Sequence, residues 1–186
     1  MVYVCGEEEP VKAFRLIKDN GPAGWKFEST DELAFSNETA PYPGAPGDRI
    51  GVTDVNFNVM MPGGILSLSA NAAAADPGKT GILWVSTTLF QSANRTVTDG
   101  VLRAFDASNF VDRPGDPKGR KRLVQIWSSD TKPADNVGLF AKFCPPIVAD
   151  GKVFLPAFNE EVIGNDGIHR LKPGGRQAAL VIYGLR

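Results

Sequence analysis

The sequence predicts an all-β chain, a partial β-propeller of about three four-stranded antiparallel blades of which the first and the last are incomplete. Three observations support this prediction. The 186 residues include 20 Gly and 14 Pro without a regular glycine period, which is typical of short elements joined by tight turns. Apolar runs are short and rich in β-branched and aromatic residues, as in strands. A strand meander also recurs along the chain, as it does in repeat architectures.

Each short apolar run bounded by Gly, Pro, Asn or Asp is interpreted as one strand. The expected strands cover residues 2–5, 11–17, 25–29, 64–70, 81–87, 101–107, 123–129, 143–149, 152–158 and 179–185. The stretch 33–54 is interpreted as a loop. Its segment 41–47 contains three prolines, which cannot sustain a sheet ladder or a helix.

The repeat is visible as aligned segments. Residues 12–15 (KAFR) align with residues 103–106 (RAFD), and each segment is followed by a strand with an aromatic residue, 25–27 (WKF) and 125–127 (QIW). A partial third copy contains 152–155 (KVFL) and 180–183 (LVIY). The chain is therefore predicted to be a single domain with a partial blade at 1–32, a full blade at 60–130 and a partial blade at 140–186.

Unfinished end blades predict association. The sheet of a single blade cannot bury both of its faces, whereas stacked blades bury them against each other. The terminal copies would leave open faces and unpaired edges, which favour pairing with another chain. We expect either self-association, in which two copies complete a ring of about six blades, or further blades upstream of this segment.

Charge and hydropathy exclude some partners. The net charge is −1, so no global field favours nucleic acid. The one basic run, residues 118–122, is interpreted as a solvated loop, because a polyanion site would need a second basic cluster nearby. No apolar stretch reaches the roughly 18 residues of a membrane span. We therefore expect neither a nucleic acid nor a membrane as partner.

The cysteines and the first residues bear on the compartment. Cys5 and Cys144 are compatible with one disulfide, but each lies beside strand-like sequence, which favours buried free thiols. The chain opens on a strand without a signal peptide. Either it is cytoplasmic as written, or the true start of a longer protein is missing.

Several segments resemble a known family. Residues 104–108 (AFDAS), followed by 126–129 (IWSS), resemble the Ala-x-Asp…Trp pattern of PQQ-like, quinoprotein-type propeller repeats. Residues 61–71 (MPGGILSLSAN), 81–84 (GILW) and 140–153 (FAKFCPPIVADGKV) are similar to the C-terminal blades of larger bacterial members. The resemblance implies a Trp that docks on the neighbouring blade and a periplasmic or secreted location. Because the adjacent cysteines of the family's dehydrogenases are missing, we expect neither PQQ nor oxidoreductase activity.

Candidate site residues are few. His169, the single histidine, is the candidate general base, because its unperturbed pKa lies near neutrality; its alternative is a solvated loop histidine. Asp54 and Asn56 share one face of an extended segment, and with Asn71 they offer the hard oxygen ligands that Ca²⁺ prefers. Their alternative is a set of turn-forming side chains.

Two functions compete. The first is a quinoprotein-like propeller fragment that acts as a scaffold and binds a small-molecule or protein ligand at one ring face. The second is a Ca²⁺-dependent hydrolase of lactones or esters, such as acyl-homoserine lactones, in which the metal polarises the carbonyl and His169 activates water. The hydrolase hypothesis depends on analogy of fold, which is weak evidence for chemistry.

Overall fold

The computed structural model describes residues 1–7, 10–36, 62–89, 92–94, 97–158, 161–163, 169–171 and 178–184. These residues form strands and three short 3-10 turns but no α-helix, so the all-β prediction is confirmed. The strands are β1 Val2–Val4, β2 Lys12–Phe14, β3 Leu16–Lys18, β4 Trp25–Phe27, β5 Ala34–Ser36, β6 Ile65–Ser69, β7 Ile82–Thr88, β8 Gly100–Asp112, β9 Lys121–Ser128, β10 Leu139–Phe140, β11 Ile147–Ala149, β12 Lys152–Phe158, β13 Glu161–Ile163, β14 His169–Leu171 and β15 Ala179–Gly184.

The larger sheet has seven strands in the order β1-β2-β5-β9-β8-β7-β6. Strands β6 to β9 form an antiparallel meander, as the second sequence repeat predicts. Strand β5 pairs antiparallel with β2 and parallel with β9, so it joins the first two strands to this meander. In the part of the chain that the structure describes, the first and second repeats therefore share one hydrogen-bonded sheet.

This sheet curls into a nearly closed barrel. At its two edges the Gly64 N–H donates to the Cys5 carbonyl at 3.2 Å. Gly63 has a φ of 80°, and a Cβ there would lie 2.8 Å from the Cys5 carbonyl oxygen, so only glycine allows this close approach. All seven strands contribute inward-pointing side chains to the interior of the barrel. This core contains Tyr3, Val11, Ala13, Ala34, Leu66, Leu83, Val85, Phe105, Ala107 and Leu123.

A smaller sheet packs on the outside of the barrel. Strand β12 pairs with β15 over 152–157, and with β10 and β11 at its two ends. Because β15 occupies one edge of β12 along this length, β10 and β11 share the other edge. A second core fills the space between the two sheets, with Trp84, Leu102 and Ala104 on the barrel side and Val153, Leu155 and Ala157 on the other.

Two hairpins lie apart from these sheets. Strands β3 and β4 form one of them, with Trp25 and Phe27 largely exposed. Strands β13 and β14 form the other, in which His169 is opposite Ile163. No helix among the described residues is long and apolar enough to cross a membrane.

Several expectations need correction. Residues 34–36 were expected in a loop but form β5, because they pair with the distant strand β9. His169 begins strand β14 rather than lying in a loop. The expected strand 11–17 is interrupted at Arg15, and strand β4 pairs with β3 instead of extending the first blade. The expected strand 143–149 begins only at Ile147, since Phe143 adopts a positive φ of 61°.

The propeller prediction is confirmed only at the level of an all-β fold with stacked sheets. Separate blades would give separate sheets, whereas here β5 links the first repeat to the second by hydrogen bonds. The number of blades is therefore not confirmed.

Ser67 and Ser69 lie on the outer face of the barrel sheet, where Ser69 accepts a hydrogen bond from the Trp84 indole at 3.0 Å. Cys5 and Cys144 are not joined by a disulfide, and both are half-buried rather than fully buried as expected.

Candidate binding surface

The smaller sheet carries large apolar side chains on both faces, and Lys152 lies at one end of the outward face. Val153, Leu155 and Ala157 alternate along β12 and point at the barrel, where they are almost fully buried. Val181 and Tyr183 of β15 pack against the same core. Because successive residues of a strand point to opposite faces, the residues between them point away from the barrel.

The outward face carries a row of large apolar side chains. Ile147, Phe154 and Ile182 lie directly opposite one another across β11, β12 and β15. Leu180 is paired with Pro156 in the next row of the same face. Ile147 is 58% exposed, Leu180 57% and Ile182 52%. A contiguous exposed apolar patch of this kind marks an interaction site more often than scattered exposed residues do.

Strand β15 is also an edge. Among the described strands it pairs only with β12, over residues 152–157. None of its six residues is a proline, so each carries a backbone N–H, and those not bonded to β12 face outward along the edge. The outward face and the open edge meet at Leu180 and Ile182. We define Ile147, Phe154, Pro156, Leu180 and Ile182, together with this edge, as the outward surface.

Aromatic packing holds the outward surface in place. The Tyr183 ring lies 5.1 Å from the Trp127 ring, and Trp127 lies 6.3 Å from Trp84, both edge to face. The Tyr183 hydroxyl donates to the Asp135 carbonyl at 2.7 Å. Burial, with a smaller contribution from the negative charge of Asp135, raises the pKa of Tyr183 to about 12. Strand β15 is therefore anchored on its inner face, so its outer face is presented in a fixed orientation.

The predicted calcium ligands are only partly visible. Asp54 and Asn56 lie outside the described residues. Asn71 lies in an exposed turn after β6, where its side-chain oxygen accepts the Ala73 N–H at 3.0 Å. Its own N–H donates to the Thr80 hydroxyl at 2.8 Å. Asn71 thus has the turn-forming role that was its alternative interpretation.

Neither metal binding nor the catalytic role of His169 is supported by a cluster of ligands. Within the described ranges, no three His, Cys, Asp or Glu residues are grouped so that they could hold a metal ion. His169 lies in the hairpin of β13 and β14, whereas Asn71 follows β6 of the larger sheet. The two candidate residues therefore belong to different parts of the fold. The calcium site remains a prediction.

Residues 118–120 of the basic run line a polar groove of about 190 Å³, and its other wall includes Glu28, Asp31 and Glu32. Lys118 contacts Asp31 at 2.8 Å, and Arg120 contacts Glu32 at 2.7 Å and Asp116 at 2.9 Å. These cations are paired with carboxylates, so the groove is a poor site for a polyanion. The ion pairs instead attach the loop between β8 and β9 to the chain before β5.

The same contacts shift the pKa values of the charged side chains in this groove. Hydrogen bonds from the Arg120 guanidinium lower the pKa of the Asp116 carboxyl to about 2, although partial desolvation opposes them. Burial alone would raise the pKa of Glu32, but hydrogen bonds from its own backbone and from Arg120 give a net lowering. The pKa of Arg120 is raised in turn, chiefly by its hydrogen bond to Asp116.

Two polar residues inside the barrel were not predicted. Arg103 is 2% exposed, with a guanidinium nitrogen 3.5 Å from the Asp130 carboxylate and another 3.4 Å from the Thr87 hydroxyl. Gln125 lies opposite the inward-facing Phe105, and both of its side-chain amide atoms are buried without a hydrogen-bond partner among the residues that the structure describes. A strand pattern such as Val-Leu-Arg-Ala-Phe could not show that Arg103 points inward, because the register of distant strands decides the face.

The chain matches no protein-family model, and comparison with curated proteins and with solved structures also gives no match. The resemblance to quinoprotein-type repeats therefore remains a prediction from the sequence.

Proposed function

We propose that this protein is a β-sheet scaffold that binds a protein partner through its outward surface. One observation carries the proposal: β12 and β15 have large apolar side chains on both faces, but the barrel covers only one of them. Strands that are apolar on both faces are typical of sheets buried on both sides. A partner that covers Ile147, Leu180 and Ile182 would bury this second face.

The composition of the surface favours protein as the partner. The exposed members are aliphatic, and the row Ile147, Phe154 and Ile182 contains no charged side chain. The centres of protein–protein interfaces are depleted of charged residues in the same way. A nucleic acid would instead require clustered cations.

Side chains fill the described part of the barrel interior: Leu83, Phe105 and Leu123 are 1–2% exposed. In this proposal the barrel interior has a structural role. The outside of the barrel supports the second sheet through Trp84 and Trp127. In this proposal the barrel positions the smaller sheet, and the smaller sheet binds.

The propeller prediction belongs to the same proposal. Strands β6 to β9 form a four-stranded meander, β11, β12 and β15 form a three-stranded one, and the two stack face to face. Neighbouring propeller blades also stack face to face, so the packing is compatible with the quinoprotein-like scaffold that we propose from the sequence, which would have no PQQ dehydrogenase activity. A further blade on another chain is one form that the partner would take.

The test is photo-crosslinking in cells. A benzophenone amino acid at position 182 should give an adduct of one discrete mass, because the proposed partner covers this side chain. Ile126 is the matched control, since it is an isoleucine of similar exposure, 49% against 52%, on strand β9. Equal labelling at both positions, or none at 182, contradicts the proposal. Ile182→Lys should prevent partner binding, whereas Ile126→Lys should not.

A further inference from the structure

We infer that the open edge of β15 accepts an extended segment of a partner protein as a fourth antiparallel strand. The inference rests on the proposed function and specifies how the partner binds. It concerns backbone pairing at an edge, whereas the proposed function concerns burial of a face, so the two can fail separately.

The molecule contains its own template for the added strand. In the larger sheet β6, β7 and β8 are followed by a fourth antiparallel strand, β9, which pairs with β8 over 121–128. In the smaller sheet β11, β12 and β15 follow the same order, each antiparallel to the next. Among the described strands nothing occupies the fourth position beside β15. This edge is therefore equivalent to the edge of β8 that β9 covers.

The side chains of β15 define the chemistry of the segment. A strand beside β15 would place its own side chains next to Leu180 and Ile182 on the outward face, and next to Val181 and Tyr183 on the inner face. Directly opposite residues of antiparallel strands share a face and stabilise the sheet when both are apolar. The segment should therefore be extended, about six residues long to match β15, with apolar residues on both faces.

Strand addition also explains how one segment gains both affinity and specificity. Main-chain hydrogen bonds to the edge give affinity, and the alternating side chains give specificity. On the inner face, a large residue of the added strand would extend the apolar cluster that Tyr183 forms with Trp127. On the outward face it would cover part of Ile182.

The probe is a fluorescent nine-residue peptide with the sequence of residues 121–129 (KRLVQIWSS), because β9 occupies the equivalent position in the larger sheet. It should bind the intact protein saturably, with a dissociation constant below about 1 mM, as measured by fluorescence anisotropy. A scrambled peptide of the same composition is the control. Absence of saturable binding by the probe, or equal binding by the scrambled peptide, overturns the inference.

Backbone methylation separates edge pairing from hydrophobic adhesion. Two further peptides carry N-methyl groups at alternate positions, one at the residues that correspond to 123 and 125, the other at those that correspond to 124 and 126. Only one set faces β15, so one peptide should lose at least tenfold in affinity while the other keeps it. Equal affinities of the two methylated peptides overturn the inference.

Light scattering tests whether a second copy of this chain, rather than a different protein, occupies the edge of β15. A monomer that binds the peptide supports the inference. A dimer that dissociates when the peptide is added shows that β15 pairs with another β15, which overturns it. If the peptides fail but Ile182 still gives a discrete crosslink, the edge inference is wrong and the proposed function stands. If both fail, the outward surface is not a binding surface.

Discussion

Replacing Gln125 with methionine should stabilise the protein, which is unusual for a core substitution. Both side-chain amide atoms of Gln125 are buried, and neither has a hydrogen-bond partner within the described part of the chain. Gln125 lies opposite Phe105, whose ring belongs to the apolar core of the barrel. Burying an unpaired polar group costs about 1–3 kcal/mol in protein mutational data. Methionine has a similar shape without the amide, and it adapts to irregular cores.

The expected gain in the free energy of unfolding is therefore about 1–3 kcal/mol. Urea denaturation measures it directly, and the melting temperature should rise by about 2–4 °C for each kcal/mol in a chain of this size. Gln125→Glu should act in the opposite direction at neutral pH, because it would bury a carboxylate without a partner.

The control is Asn109→Met, at an exposed position of strand β8. Surface substitutions of this kind usually change stability by no more than about 0.5 kcal/mol. Destabilisation by Gln125→Met of more than about 1 kcal/mol, with Asn109→Met neutral, would refute the reasoning. It would mean that the Gln125 amide makes stabilising hydrogen bonds inside the barrel.

Three further predictions follow from the second core, the polar groove and the sequence. Trp127→Ala should lower the free energy of unfolding by about 3 kcal/mol, because it removes the ring between the two sheets; a loss no larger than a surface change would contradict the sheet packing. The pKa of Asp116 is depressed to about 2 by its contact with Arg120. The stabilisation of the folded state by this ion pair is therefore complete above about pH 4 and is lost as the pH falls towards 2. In acid denaturation, Arg120→Gln should therefore reduce the pH dependence in this window, and an unchanged profile would exclude the contact. If the calcium hypothesis holds, lactone turnover should disappear with EDTA, return with Ca²⁺ and be abolished by His169→Ala; turnover insensitive to all three would exclude it.

The sequence predicted the local meanders well. Strand β12 was expected at 152–158 and lies at Lys152–Phe158, and strands β6 to β9 pair in the expected order. These strands are apolar runs separated by turn residues, so their pairing follows from short connections. The expected burial of one sheet face against another also appears, in the core between Trp84 and Val153.

Non-local contacts could not be predicted in the same way. Strand β5 has only three residues, Ala34 to Ser36, and its sheet position depends on a parallel partner, β9, that is far away in the sequence. The barrel closes where the Gly64 N–H donates to the Cys5 carbonyl, two groups that are far apart in the sequence. Neither contact has a periodicity that a single sequence displays, because periodicity reports only which residues share a face.

The sequence predicted open faces and edges in an unfinished blade, and this stays a prediction. Among the described residues Ile182 is exposed, and β15 pairs with β12 alone. The residues chosen as a site were polar ones, and among them Asn71 uses its side-chain oxygen within its own turn. Leu180 and Ile182 were interpreted only as strand residues, since the sequence does not show which face of a two-sided apolar strand remains uncovered.

Residue-resolved amide hydrogen exchange of the isolated protein most directly tests whether the smaller sheet lacks a neighbour beside β15. Along 179–184, amides bonded to β12 should exchange slowly, and those between them, which face the open edge, should exchange fast. This alternation should disappear when a partner strand binds. Uniform slow exchange of all six amides in the monomer would show that the edge is already occupied, and the account of the outward surface would then be wrong.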